Sequence, residues 1–309
     1  ASSSAPALSA SQSGSKPLKI VTTIFPEYDW VREILGDKAD HAEVTMLLDN
    51  GVDLHSYQPT ADDIIKISDC DLFIYVGGES DGWVEDALKE AANKDMQVIN
   101  LLDALGEQVK EEEVVEGMEA EEEESEDEDE PEYDEHVWLS LKNAETLCNA
   151  ITDALEEIDP ANKDAYAANA ASYLEKLAAL DGEYQTVVDN AARKTVLFGD
   201  RFPFRYLVDD YGLSYYAAFA GCSAETEASF ETISFLAGKV DELGLPCVLT
   251  IEGAQHKIAE TIVQNSAAKN QSVLTLDSMQ STTSADAANG TTYLSVMESN
   301  LDVLKQALN

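Results

Sequence analysis

The chain has 309 residues, 44% of them hydrophobic, so it is long enough for two lobes of ordinary size, each with a core of its own. Its formal charge of −42 argues against nucleic acid, whose phosphates it would repel, and against adhesion to an anionic membrane surface; cations are the natural small partners. No apolar run approaches the length of a membrane-spanning helix, and no secretory hydrophobic region is present.

Residues 1–15, ASSSAPALSASQSGS, are small and polar without periodicity and read as a flexible tether of the kind that follows a removed signal or lipid-anchor segment. From Lys16 onward, short β-rich runs alternate with helical ones. LKIVTTI (18–24), AEVTMLL (42–48), DLFIYVG (71–77) and MQVINLL (96–102) are strand candidates, with a helix from about Glu27 to Leu35. TADDIIKIS and SDGWVEDALKEAAN carry helical spacing between them. This alternation predicts right-handed βαβ units and a mainly parallel sheet over an N-terminal lobe of residues 16–158.

Residues 107–135 interrupt the pattern. From Glu111 the run EEEVVEGMEAEEEESEDEDEPEYDE is about two thirds acidic and repels itself, which predicts a mobile loop able to raise the local cation concentration. Helical spacing resumes at His136. Asp159 and Pro160 then punctuate a linking segment, 159–193, with Asp159 as the expected N-cap. Within it Tyr166, Ala170, Tyr173, Leu177, Leu180, Tyr184 and Val188 recur at three- and four-residue intervals. Roughly thirty helical residues would span about 45 Å, which suits a rigid strut between lobes, weakened locally at Gly182. Residues 194–309 repeat the α/β rhythm: strands in KTVLFGD, SYYAAFA, PCVLTIE and SVLTLDS, helices near 203–211, 226–243, 255–266 and 291–307.

Of the four cysteines (Cys70, Cys148, Cys222, Cys247) none forms a CxxC pair, which disfavours a thiolate zinc site or a thioredoxin-type motif. Cys222 and Cys247, each beside a predicted strand end, are the candidates for a disulfide if the chain is exported; free buried thiols are the alternative. Four histidines are present. His55, in the turn-rich loop DNGVDLHSYQPTADD, and His136, at the head of HVWLSLKNA, both sit in loops where open α/β sheets place ligands, and neutral imidazole is the commonest metal ligand. His256 lies on a predicted helix and His41 near a strand start, where surface or structural roles are expected.

These motifs together resemble the zinc/manganese solute-binding proteins of ABC importers, the family that includes the streptococcal lipoprotein adhesins. KIVTTIFPEYDWVREILGDKA is similar to the family's opening strand and helix, GVDLHSYQPTADDI to its first ligand loop, DLFIYVGGESDGWVEDAL to the tryptophan-bearing turn and HVWLSLKNA to its second ligand motif. The likeness covers nearly everything from Lys16 to Leu308. It implies two α/β lobes, each with a mainly parallel sheet, joined by one long rigid helix, with metal in the interlobe cleft and little domain closure. It carries His55 and His136 over as ligands. For the third ligand the chain departs from the family pattern: FGDRFPFRYLVDDYGL puts Arg201 in the ligand column, and a permanently protonated guanidinium cannot coordinate. Asp200 is the chemically sensible substitute, the alternative being a cap of the following helix. The fourth, a carboxylate after the penultimate strand, falls on Asp277 in LTLDSMQS, with Glu252 in LTIEGAQHK in reserve.

Two imidazoles and two carboxylates would suit Zn2+, with Mn2+ the alternative. The implied function is extracytoplasmic capture of a divalent metal and its delivery to the membrane permease of an ABC transporter. The implied carrier is monomeric, without enzymatic activity and lipid-anchored to the outer face of the cytoplasmic membrane. The other readings are a two-lobed metalloenzyme such as a chelatase, for which no acid–base motif is present, and a surface adhesin or cation buffer.

Overall fold

The computed structural model describes residues 16–119, 131–253 and 255–309. The N-terminal lobe strings together β1 (Leu18–Thr22), α1 (Phe25–Leu35), β2 (Ala42–Met46), α2 (Ala61–Asp69), β3 (Leu72–Tyr75), α3 (Val84–Lys89), β4 (Gln97–Asn100) and α4 (Leu101–Leu105), with α5 (Leu141–Ile158) beyond the acidic run. Its four strands lie in the order β2-β1-β3-β4, all parallel. After α6 (Lys163–Asp189) come β5 (Thr195–Phe202), α7 (Arg205–Asp210), β6 (Ser214–Ala220), α8 (Phe230–Leu243), β7 (Cys247–Thr250), α9 (Lys257–Asn265), β8 (Ser272–Thr275), α10 (Ser284–Ala288) and α11 (Tyr293–Leu308). The second sheet, also parallel, runs β6-β5-β7-β8. The fold is therefore two parallel α/β lobes with a long helix between them in sequence.

Local chemistry sets the element ends. Thr60 caps α2 in a reciprocal box with Asp63, Ser140 caps α5 and Ser229 caps α8, each satisfying an otherwise orphaned N–H. All seven apolar positions singled out on the strut are buried along α6. The 27 residues, about 40 Å at helical rise, continue through Gly182 without a break. Asp159 is not the N-cap of α6: a 3-10 turn, Pro160–Asn162, intervenes, and the Asp159 carboxylate accepts hydrogen bonds from Asn162 and the Tyr166 hydroxyl instead.

One core runs through both lobes, from Ile20, Trp30 and Phe73 to Phe198, Tyr206 and Leu304. Trp138 Nε1 donates to the Ser278 carbonyl at 2.9 Å, Tyr293 Oη donates to the Trp138 carbonyl at 2.6 Å and Tyr293 N donates to Asp29 Oδ2 at 2.8 Å. All are buried, and all tie an N-terminal residue to a C-terminal one.

Two expectations need correction. The acidic run is not a free loop throughout. Residues 120–130 lie outside the described residues, but the flanks dock: Glu112 and Glu132 share a backbone hydrogen bond, Glu119 N donates to the Ala218 carbonyl, and Asp134 and Glu135 are buried. The four cysteines are free. Cys222 follows the C-terminal end of β6 whereas Cys247 opens β7, so in a parallel sheet they occupy opposite edges, with β5 between their strands.

Glu27 closes the N-terminus of α1, accepting from Thr23 N and Thr23 Oγ1 at 2.8 Å each, while its Oε2 is buried without a partner. Burial pushes its carboxyl up to about 8. The unfolded chain ionises Glu27 near its ordinary value and the folded chain does not, so folded-state stability is fully present below that value and is lost as pH rises towards 8. Glu27→Gln keeps the acceptor without the charge. In urea unfolding from pH 4 to pH 9 the variant should nearly match the parent at the acid end and exceed it at pH 7 by on the order of 3 kcal/mol.

Candidate metal centre

His55 sits on a 3-10 turn, Leu54–Ser56, beyond β2, where its backbone N–H donates to the capping Asp53 carboxylate at 2.9 Å. His136 stands at the other end of the lobe's chain, immediately before the turn Val137–Leu139 that leads into α5, and its backbone N–H donates to Asp134 Oδ1 at 3.0 Å. The two rings meet edge to face with Nε2 atoms 3.1 Å apart.

The far side of each ring decides what that contact is. His136 Nδ1 lies 2.9 Å from Asp134 Oδ1, and a carboxylate only accepts, so Nδ1 carries the proton. His55 Nδ1 lies 2.7 Å from Ser80 Oγ. The single Ser80 hydroxyl proton is directed at Glu135 Oε2, 2.6 Å away, so this Nδ1 too is the donor. Both Nε2 atoms therefore turn lone pairs towards each other. Such a contact requires a cation between them, either a proton or a metal. The 3.1 Å separation is close to the roughly 3.3 Å edge that two imidazole nitrogens make around tetrahedral zinc.

The supports are themselves anchored. Tyr206 of α7 donates to the Asp134 carbonyl at 2.6 Å, and Ser80 N donates to Glu135 Oε1 at 2.9 Å. Gly78, at φ +78, leaves room for that carboxylate; a Cβ there would stand 2.5 Å from Glu135 Oε1. Imidazoles held by carboxylates on the far nitrogen are the usual construction of a metal-binding histidine.

Burial and the His136 charge pull His55 down to about 4, against the opposite pull of Asp53. Burial also opposes protonation of His136, but the Asp134 charge and hydrogen bond and the Glu135 charge outweigh it and raise that group. The first proton in the pair thus belongs to His136, and a metal ion would displace it.

A third donor approaches from the other lobe. The Cys222 Sγ and a ring nitrogen of each histidine all lie within 4.8 Å of one another, the only such group of metal-binding side chains among the described residues. Asp200 and Asp277 do not join it. β5 continues past Asp200 to Phe202 with a register irregularity between Phe198 and Arg201, and the Asp200 carboxylate accepts from Arg201 N and Ile251 N, tying β5 to the end of β7. Nor does Asp200 cap α7, whose N-cap is Phe204. Asp277 accepts from Met279 N and pairs with Glu252, which in turn holds Ser278. Burial raises both carboxyls, and the Asp277 charge raises Glu252 further, so the two sit as a hydrogen-bonded pair. Arg201 points its guanidinium at Asp53 beside His55. His41 is exposed and His256 half-buried, and neither belongs to the group.

A family model described as the periplasmic component A of the zinc-uptake complex, ZnuA, matches residues 20–307. The chain belongs to this family. It is 33% identical to the zinc-binding lipoprotein AdcA of Streptococcus pneumoniae serotype 4 over 292 residues, covering 94% of this chain and 55% of AdcA. It is 33% identical to the high-affinity zinc uptake system protein ZnuA of Bacillus subtilis over 303 residues, covering 97% of this chain and 90% of that one. The chain thus spans about half the length of its AdcA relatives. Among solved structures it resembles the Zn(II)-bound ZnuA-like domain of S. pneumoniae AdcA (TM-score 0.73, 30% identity, 94% and 99% of the two chains). It also resembles the laminin-binding adhesin Lmb of Streptococcus agalactiae (TM-score 0.74, 25% identity, 94% and 100%).

Within the ZnuA family frame, sequence reasoning missed Cys222. The sequence offers this cysteine as half of a disulfide or as a free buried thiol, whereas it stands in the turn Gly221–Ser223 that follows the C-terminal end of β6.

The order of protonation of the pair is checked by an NMR titration of the imidazole rings. His136 should titrate above the ordinary histidine value of about 6.5 and His55 near 4, and Asp134→Asn should lower the His136 midpoint. If His55 takes up the first proton instead, the order is wrong.

Proposed function

We propose that this chain is an extracytoplasmic solute-binding protein that captures a divalent transition metal, zinc before manganese, between His55 and His136 and hands it to the permease of an ABC importer. The observation that carries the reading is the close approach of the two imidazole Nε2 atoms, 3.1 Å apart, each ring with an oxygen 2.7 or 2.9 Å from its far nitrogen. Membership of the ZnuA family and the zinc named for AdcA and for the Bacillus subtilis ZnuA support the choice of metal and of partner. The proposed location outside the cytoplasm rests on the same relatives, described as periplasmic or as lipoproteins. No helix among the described residues is long and apolar enough to cross a membrane.

The metal is cargo. The residues around it bind and orient, and we assign them no catalytic step. The imidazoles supply neutral nitrogen donors, Asp134 and the Ser80–Glu135 pair set their tautomers, and one proton leaves as the ion enters. Arg201 opposes a cation at this place, and Asp53 offsets its charge. The likeness to Lmb supports surface adhesion as an accompanying role of the same fold.

The test is stoichiometric zinc binding by purified protein stripped of metal. One equivalent should bind tightly and raise Tm with zinc concentration, as expected for a ligand of the native state. His55→Ala and His136→Ala should each weaken binding about tenfold or more while unfolding cooperatively. Parent-like affinity in both variants would sink the reading.

A further inference from the structure

We infer that Cys222 coordinates the captured ion as a thiolate, making this centre a His/His/Cys site. The inference deepens the proposed function and rests on its metal being held at His55 and His136.

Three observations carry it. The Sγ of Cys222 and one ring nitrogen of each histidine already lie within 4.8 Å of one another. A tetrahedral zinc ion needs N···S edges of roughly 3.6 Å, which is of the same order as the span of this group. The turn is built for close approach: a Cβ on Gly221 would stand 2.7 Å from the Phe202 carbonyl and 3.1 Å from His136 Cε1. Only glycine lets the backbone lie against the histidine ring, and the following residue is then the cysteine. Ser223 N closes the turn on the Ala220 carbonyl at 3.2 Å, while Cys222 N donates to Glu112 Oε1 at 3.3 Å. Finally, the side chain that β5 directs to this corner is Arg201, which cannot ligate and is paired with Asp53.

The chemistry follows from the donor. Burial and the nearby carboxylates of Glu112, Glu135, Asp134 and Glu132 push the Cys222 thiol up, so the free protein holds it protonated. On coordination it gives its proton to solvent and the sulfur supplies one negative charge to the ion. Two imidazoles and a thiolate form a softer set than imidazoles with carboxylates. They favour zinc over manganese more strongly than either carboxylate proposed from the sequence would. Three protein donors leave the fourth tetrahedral position to solvent, an arrangement known from zinc sites that exchange a ligand.

The decisive probe is Co(II) in place of zinc, with the full chain kept reduced by a non-thiol reductant. The parent should show visible d–d bands together with near-ultraviolet thiolate-to-cobalt charge transfer. Cys222→Ser should lose the charge-transfer absorption and bind zinc about tenfold or more weakly. Visible bands without charge transfer in the parent, or unchanged zinc affinity in Cys222→Ser, would overturn the thiolate assignment and leave capture by the two histidines standing. A parent that binds neither metal would overturn both. The parent's own spectrum decides even if the variant fails to fold.

Discussion

Trp138 lies two residues beyond His136, and its indole donates across the lobe boundary to Ser278 while its carbonyl accepts from Tyr293. Tyr293 packs edge to face on Trp30 with centroids 5.1 Å apart, and its backbone N–H reaches Asp29. These side chains are buried, and the hydrophobic cluster around them is continuous between the two sheets. Separating the lobes would expose that core and orphan several buried hydrogen-bonding groups, each loss costing about 1–3 kcal/mol. The distance between the His136 ring and the Cys222 turn is therefore set by core packing. A site assembled from both lobes can be preorganised only under such a constraint.

What the sequence made legible depends on the length scale of the signal. Repeated spacing over many residues, as on α6, predicts a buried face because each position reinforces the next; every apolar residue named there is buried. The two histidine loops were legible because each carries turn-formers beyond a strand or helix start. The remaining donors depend on a register of one or two residues. Ending β5 at Asp200 would aim that carboxylate into the cleft, whereas the strand runs on to Phe202 and Asp200 spends its oxygens on backbone N–H groups. Asp277 sits one residue after a buried leucine, but the neighbouring strand delivers Glu252 beside it, and two half-buried carboxyls pair more readily than either stays alone. Neither effect has a period that a single sequence displays.

The charges nearest the histidines are arranged against the chain's average. In a molecule of net charge −42, one of the few arginines is spent at Asp53, beside the ring of His55. Asp53 also caps the turn that carries His55, so a single carboxylate positions the ligand loop and neutralises the guanidinium. Its own proton affinity stays low: burial opposes ionisation, but Arg201 and the His55 N–H outweigh it. The acidic surface attracts cations from a distance within the screening length of the solution. Close in, Arg201, Asp53, Asp134 and Glu135 set the local charge that an entering cation meets.

The rigidity of the frame also limits where an ion can enter. The His136 side chain is 0% exposed and that of His55 14%, while Asp53 and Arg201 are each 21% exposed. The approach therefore lies along the His55 edge, past the ion pair. His136 is fixed by Asp134, which Tyr206 holds from the opposite lobe, so it is the donor with least freedom. His55 rides on a three-residue turn between a capping carboxylate and a serine hydroxyl, and Cys222 on a turn of comparable length. Exchange of cargo in such a frame asks for the movement of two short turns at the mouth. It does not ask the lobes to part, which their shared core opposes.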